Sequence, residues 1–144
     1  MQSLSIPIDS IDAFVFDFDG VLTNNLVHLD QDGREHVSCS RADGIAFDLL
    51  RKIQKPAYIL STEKNSVVTA RANKLKILAI QGIANKVEAI KQLAEQEGFL
   101  LSNILYVGND LNDYRIMRLC GYTACPADSH EKIKEIANII LKTE

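Results

Sequence analysis

The chain alternates short apolar runs with stretches where apolar residues return every three or four positions. Ala13–Phe16 is a compact apolar run cut off by Asp17-Phe18-Asp19-Gly20, which predicts a strand buried on both faces. Ile45, Leu49 and Ile53, with Ala46 and Leu50 beside them, predict a helix over about 43–54, stopped by Pro56. Ala57–Leu60 reads as a second buried strand, the run from Val67 to Leu75 as a helix, and 77–80 as a third strand. Val87, Ile90, Leu93 and Ala94 mark a helix closed by Gly98. Ile104–Val107 follows as a strand, then a helix through Ile116, Met117 and Leu119 that stops at Gly121. Tyr122–Cys125 is expected as the last strand, and Ile133, Ile136, Ala137 and Ile140 as a closing helix.

Strands alternating with helices imply right-handed crossovers and an α/β fold, a doubly wound parallel sheet covered on both faces. One segment breaks the rhythm. Two short runs around Asp30-Gln31-Asp32-Gly33 predict a β-hairpin over 26–38, projecting from the carboxyl end of the first strand. No repeat and no Pro- or Gly-rich linker divides the chain, so 1–144 is expected to form a single domain.

Composition removes several functions. The net charge is −3, with no Lys/Arg block and no Trp, a poor match to a nucleic-acid partner. No apolar run approaches the roughly 18 residues of a membrane span. The first ten residues carry no Lys or Arg, unlike a secretory signal. Three cysteines, Cys39, Cys120 and Cys125, are an odd number without ligand-like spacing, which points to a reducing cytoplasm.

The chemistry gathers where predicted strands end. Asp17 and Asp19, two positions apart on an extended segment, point the same way about 6.5 Å apart. A nucleophilic carboxylate, an acid/base carboxylate and a divalent metal would use such a pair; a polar turn is the plainer explanation. Ser61-Thr62 after the second strand can hold a phosphoryl oxygen or simply cap a helix. Lys86 can offset phosphoryl charge or stand as a surface lysine. Gly108-Asn109-Asp110-Leu111-Asn112-Asp113 offers hard oxygen ligands of the kind Mg²⁺ takes, or a helix cap. Three strands ending in groups suited to phosphate and metal, on one sheet edge, favour the chemical reading. Walker, dinucleotide and zincin patterns are all absent.

Taken together, 17–23, Ser61, Lys86 and 108–113 resemble, in order and spacing, the four motifs of the haloacid dehalogenase superfamily. Arg41 to Ile45, Leu60 to Asn65, Arg71 to Leu75 and Tyr106 to Asp113 resemble its capless branch. That branch contains phosphatases of 3-deoxy-octulosonate 8-phosphate and of nonulosonate phosphates, serving lipopolysaccharide or sialic-acid biosynthesis. The resemblance implies that Asp17 attacks phosphorus, Asp19 acts as acid and base, and Ser61 and Lys86 hold the phosphoryl oxygens. It implies Mg²⁺ held by Asp17, the Asp19 carbonyl and the fourth motif, here Asn109, Asp110 or Asp113. A sugar-acid phosphate also carries a carboxylate, so further cations are expected: Arg71 and Lys74 are the candidates, with Glu63 and Thr62 helping to select the sugar acid.

Two departures accompany the resemblance. Asn109 stands where many relatives have Asp, and a Gly-rich tail carrying Arg does not follow Lys142. An oligomerisation module, like the carboxyl-terminal domains of some sialic-acid cytidylyltransferases, is therefore the alternative function. With no cap, a homo-oligomer is expected, a tetramer by resemblance, in which a neighbour's hairpin helps cover each site.

Overall fold

The computed structural model describes residues 6–142; Met1 to Ser5, Thr143 and Glu144 lie outside them. Six strands form one parallel sheet: β1 (Ala13–Phe16), β4 (Ala57–Leu60), β5 (Leu78–Ile80), β6 (Ile104–Val107), β7 (Tyr122–Cys125) and β8 (Ile139–Ile140). Their spatial order is β5-β4-β1-β6-β7-β8. Chain order therefore reverses between β1 and β6, and a doubly wound sheet opens a crevice at that point beyond the strands' carboxyl ends. Register fixes which residues meet there: Phe16 lies beside Ile59 on one side and Val107 on the other.

Five helices cover the sheet: α1 (Ala42–Lys52), α2 (Val67–Leu75), α3 (Lys86–Glu97), α4 (Tyr114–Leu119) and α5 (Glu131–Ile136). Strand alternation sorts side chains between two cores. Ala13, Val15, Tyr58, Leu60 and Tyr106 pack with Ile90, Leu93, Ile116 and Ile133 from α3, α4 and α5. On the other face Ile59 packs with Phe18, Phe47, Val68 and Leu75, the last three from α1 and α2. The sidechain oxygen of Asn85 accepts the Val87 and Glu88 N–H groups at 3.1 and 3.2 Å, starting α3 at Lys86. Gly98, at φ 74°, ends it in the left-handed conformation.

Several expectations are corrected. The last strand is β8, not β7, and the closing helix stops at Ile136 instead of running through Ile140. The Asn138 carboxamide accepts the Thr123 N–H at 2.9 Å, and Thr123 Oγ1 accepts the Asn138 N–H at 3.0 Å. That exchange draws the chain alongside β7, where Ile140 pairs with Cys125. The stripe Ile45, Leu49 and Ile53 also faces solvent; α1 packs through Phe47 and Leu50 instead.

The hairpin is shorter than its predicted span, with β2 (His28–Leu29) antiparallel to β3 (Glu35–His36). Asp30 Oδ1 accepts the Asp32 and Arg34 N–H groups, each at 2.9 Å, closing its turn. Among the described residues no helix is long and apolar enough to cross a membrane.

Candidate active site

The site begins where β1 stops. The Asp17 N–H donates to the Val107 carbonyl at 2.9 Å, one step past the strand, and the chain then turns. The Phe18 N–H donates to Asp17 Oδ1 at 2.7 Å, and Val21 and Leu22 donate back to the Phe18 carbonyl. Asp17 and Asp19 are therefore not two positions of one extended segment, as the spacing suggested. Asp17 is buried, while Asp19 rides the turn half-exposed. Gly20 sits at φ 82°, and a side chain there would run into the Asn109 carboxamide, so both conformation and close approach demand glycine.

Lys86 is no surface lysine. At the first turn of α3 it is buried, its Nζ 3.0 Å from Asp17 Oδ1 and 2.8 Å from Asp113 Oδ1. Asp113 ends a single 3₁₀ turn, Leu111–Asp113, after β6. Its Oδ1 also accepts the Tyr106 hydroxyl at 2.6 Å, and its Oδ2 accepts the Asn109 N–H at 3.1 Å. Both oxygens of this expected metal ligand are thus engaged by protein donors. Asp110, the other acid of the loop, is exposed and accepts the Leu111 N–H at 2.7 Å, capping the turn.

Burial pushes the Asp17 carboxyl up to about 8; the neighbouring Asp113 adds to the rise, and Lys86 opposes it. Burial also acts to raise Asp113, but the charge of Lys86 and the hydrogen bonds from Lys86 and Tyr106 outweigh it and hold the carboxyl below its ordinary value. For Lys86, burial alone would favour the neutral amine; the attraction of Asp17 and Asp113 overrides it and raises the pKa. Asp19 is raised by burial first, then by Glu63 and by Glu35 of the hairpin.

Asn109 completes the cluster. One terminal atom of its carboxamide stands 3.2 Å from Asp17 Oδ2 and 3.2 Å from the Asp19 carbonyl oxygen. With the nitrogen there, it donates to both. With the oxygen there, three hard oxygens face one another without a donor, an arrangement a divalent cation relieves. The residues therefore fit Mg²⁺ through a carboxylate, a backbone carbonyl and an amide. Among the described residues no group of three His, Cys, Asp or Glu side chains offers another metal centre.

Ser61 is buried at the end of β4 and its Oγ accepts the Glu63 N–H at 3.1 Å. Thr62 is exposed. Glu63 Oε1 accepts the Lys64 and Asn65 N–H groups at 3.0 and 2.9 Å, shaping the entry to α2. Arg71 and Lys74 differ despite their shared helix. Arg71 Nη2 donates to the Ser40 carbonyl at 2.7 Å and its Nε is buried without an acceptor, whereas Lys74 is exposed. Next to Ser40, a cavity of about 370 Å³ is lined by Leu22, Thr23, Ser38, Cys39 and Asp43 among others. Tyr106 is the buried polar residue that the sequence reading passed over. Its signal was a single hydroxyl in an otherwise aliphatic strand, Ile104-Leu105-Tyr106-Val107.

A family model of haloacid dehalogenase-like hydrolases matches residues 45–144. The chain belongs to that family. A solved structure assigned to haloacid dehalogenase family hydrolases, from Streptomyces avermitilis, is 43% identical with a TM-score of 0.93, covering 96% of this chain and 80% of that one. The 3-deoxy-D-manno-octulosonate 8-phosphate phosphatase of Moraxella catarrhalis, solved with magnesium, phosphate and a KDO molecule, has a TM-score of 0.89 at 26% identity. That match covers 94% of this chain and 78% of the other. The phosphatase of the same name from Escherichia coli K12 is 29% identical over 123 residues, 85% of this chain. The chain spans 65% of that curated relative's length. Within this haloacid dehalogenase fold, the cluster of Asp17, Lys86, Asn109 and Asp113 occupies the β1/β6 switch point.

Proposed function

We propose that this chain hydrolyses the phosphate ester of a keto-deoxy sugar acid, of the octulosonate 8-phosphate or nonulosonate 9-phosphate type. The observation that carries the reading is Lys86, buried between the carboxylates of Asp17 and Asp113, with the Asn109 carboxamide 3.2 Å from both Asp17 Oδ2 and the Asp19 carbonyl oxygen. A non-catalytic assembly module is the weaker reading, because assembly has no use for a buried lysine held against two acids.

Asp17 is the nucleophile. Its carboxylate oxygen forms a bond to phosphorus as the bond to the sugar oxygen breaks, and Asp19 delivers its proton to that leaving oxygen. Burial and the neighbouring acids keep a proton on Asp19 at higher pH than usual, which suits this role. Asp19 then takes a proton from the water that attacks phosphorus and frees Asp17. Lys86 and Ser61 hold the phosphoryl oxygens where negative charge develops. When bound by Asp17, the Asp19 carbonyl and Asn109, Mg²⁺ supplies charge neutralisation and favours the ionised form of Asp17. Asp113 is assigned to Lys86 and Asp110 to its turn, so neither is needed as a ligand.

The sugar body is assigned to the cavity lined by Ser40, whose carbonyl accepts from the Arg71 guanidinium. Arg71 and Lys74 supply the positive charge for the carboxylate, and Thr62 and Glu63 contribute to selecting the sugar acid. The working unit is a cytoplasmic homo-oligomer, a tetramer by family resemblance, in which neighbours cover the open sites. The test is phosphate release from a panel of sugar-acid phosphates with and without Mg²⁺. Release that requires the metal supports the reading; silence across the panel from well-folded protein overturns it.

A further inference from the structure

Tyr106 reaches the site from inside the sheet. It lies in β6 opposite Val15, two residues before Asp17, and its ring is fully enclosed by the core under α3 and α4. Its hydroxyl donates to Asp113 Oδ1 at 2.6 Å and accepts a proton of Lys86 Nζ at 3.3 Å. With the 2.8 Å Lys86–Asp113 contact, these bonds close a triangle.

An ammonium has three N–H donors. Lys86 commits two of them, to Asp113 Oδ1 and the Tyr106 hydroxyl at 2.8 and 3.3 Å; Asp17 Oδ1 stands 3.0 Å away as an ion pair without a hydrogen bond, which leaves the third donor for a phosphoryl oxygen. The three groups around the ammonium come from β1's end, the loop after β6 and β6 itself. Asp113 belongs to that loop and Lys86 to a helix start, whereas a tyrosine ring within a buried strand has little freedom to shift. The hydroxyl is therefore the fixed corner of the triangle.

We infer that Tyr106 is a positioning residue, whose hydroxyl sets the direction of the Lys86 ammonium toward the phosphoryl group on Asp17. It never touches substrate. This rests on the phosphatase reading above. An ammonium that rotates away from the developing charge weakens transition-state stabilisation more than ground-state binding, so the loss belongs in kcat.

The experiment compares Tyr106→Phe with Tyr58→Phe, which removes the hydroxyl of another tyrosine of the same core cluster, outside the site. p-Nitrophenyl phosphate with Mg²⁺ is the probe, assayed well below both melting temperatures. For Tyr106→Phe, kcat is expected to fall about tenfold or more with KM within about twofold; Tyr58→Phe keeps the kcat of the parent. An unchanged kcat in folded Tyr106→Phe overturns the inference. A second measurement needs no variant: a nuclear Overhauser contact between a slowly exchanging Tyr106 hydroxyl proton and the Lys86 ammonium. Its absence overturns the inference. Failure of the parent protein on every phosphomonoester overturns the phosphatase reading instead, and the ammonium contact still decides the geometry.

Discussion

Lys86 and Asp113 form an ion pair sealed from solvent, Nζ 2.8 Å from Oδ1, with side-chain exposures of 4% and 0%. One comes from the start of α3 and the other from the loop beyond β6. Desolvating two charges costs several kcal/mol each, so such a pair is a poor device for stability alone. In the proposed phosphatase it holds a positive charge against Asp17 in a place water does not screen.

Lys86→Met is the direct test of that dependence. The variant leaves Asp17 and Asp113 buried without their shared cation. Stability to urea is expected to fall by about 3–5 kcal/mol, the usual cost of removing one partner from a buried pair. Phosphatase turnover should disappear as well. A variant as stable as the parent would show that Lys86 is not the charge holding these acids in place.

The metal-free protein should lose stability as the pH rises. Asp17 is raised to about 8 in the folded state from an ordinary value of 3.8, so between those limits the folded chain binds more protons than the unfolded one. Stability therefore declines through that window and levels above it. Asp113 is lowered, and its contribution is present above the ordinary carboxylate range and lost as the pH falls through its folded value. In EDTA, the melting temperature should drop from pH 5 to pH 8. Mg²⁺ favours ionised Asp17, so its stabilising effect should be larger at pH 8 than at pH 5. Calorimetric titration at pH 7 in buffers of different ionisation enthalpy should show proton release on Mg²⁺ binding.

Asn109→Asp tests the oxygen face from the other side. A third acid beside Asp17 has no cation to meet it in EDTA, so the melting temperature should fall. The added charge should tighten Mg²⁺ on the order of tenfold by calorimetry, and excess metal should restore stability. Equal Mg²⁺ affinity in the two proteins would remove Asn109 from the metal site.

The strand ends were legible because each is a short apolar run stopped by polar residues, as at Phe16-Asp17 and Leu60-Ser61. The site motifs carried order and spacing, and order in a doubly wound sheet becomes proximity. What stayed hidden depends on partners distant in sequence. Lys86 reads as exposed until Asp17 and Asp113 are placed around it. Tyr106 reads as a strand residue until its hydroxyl has an acceptor. Ile140 continues the helical period from Ile133, but the Thr123–Asn138 exchange redirects the chain into β8. Asp17 and Asp19 fit alternating strand positions as well as a polar turn; Gly20 signals the turn, but where it begins is set by the Phe18 carbonyl accepting from Val21 and Leu22.

The stripe on α1 marks a second kind of hidden partner. Ile45, Leu49 and Ile53 are 75%, 58% and 43% exposed, although their spacing is that of a helix face built for burial. On the hairpin, Leu26, Val27 and Leu29 are 60%, 53% and 69% exposed. Single exposed apolar residues are ordinary, but two aligned groups are the mark of an interface. Sedimentation of the parent protein should therefore report an oligomer, expected to be a tetramer. Leu49→Glu and Leu29→Glu each place a charge where a neighbour would bury it, and each should shift the population to smaller species. Because Glu35 of the hairpin acts on Asp19, a displaced hairpin should also change the site, so activity should fall with dissociation. A fully active monomer at micromolar concentration would contradict both the interface and the shared covering of the site.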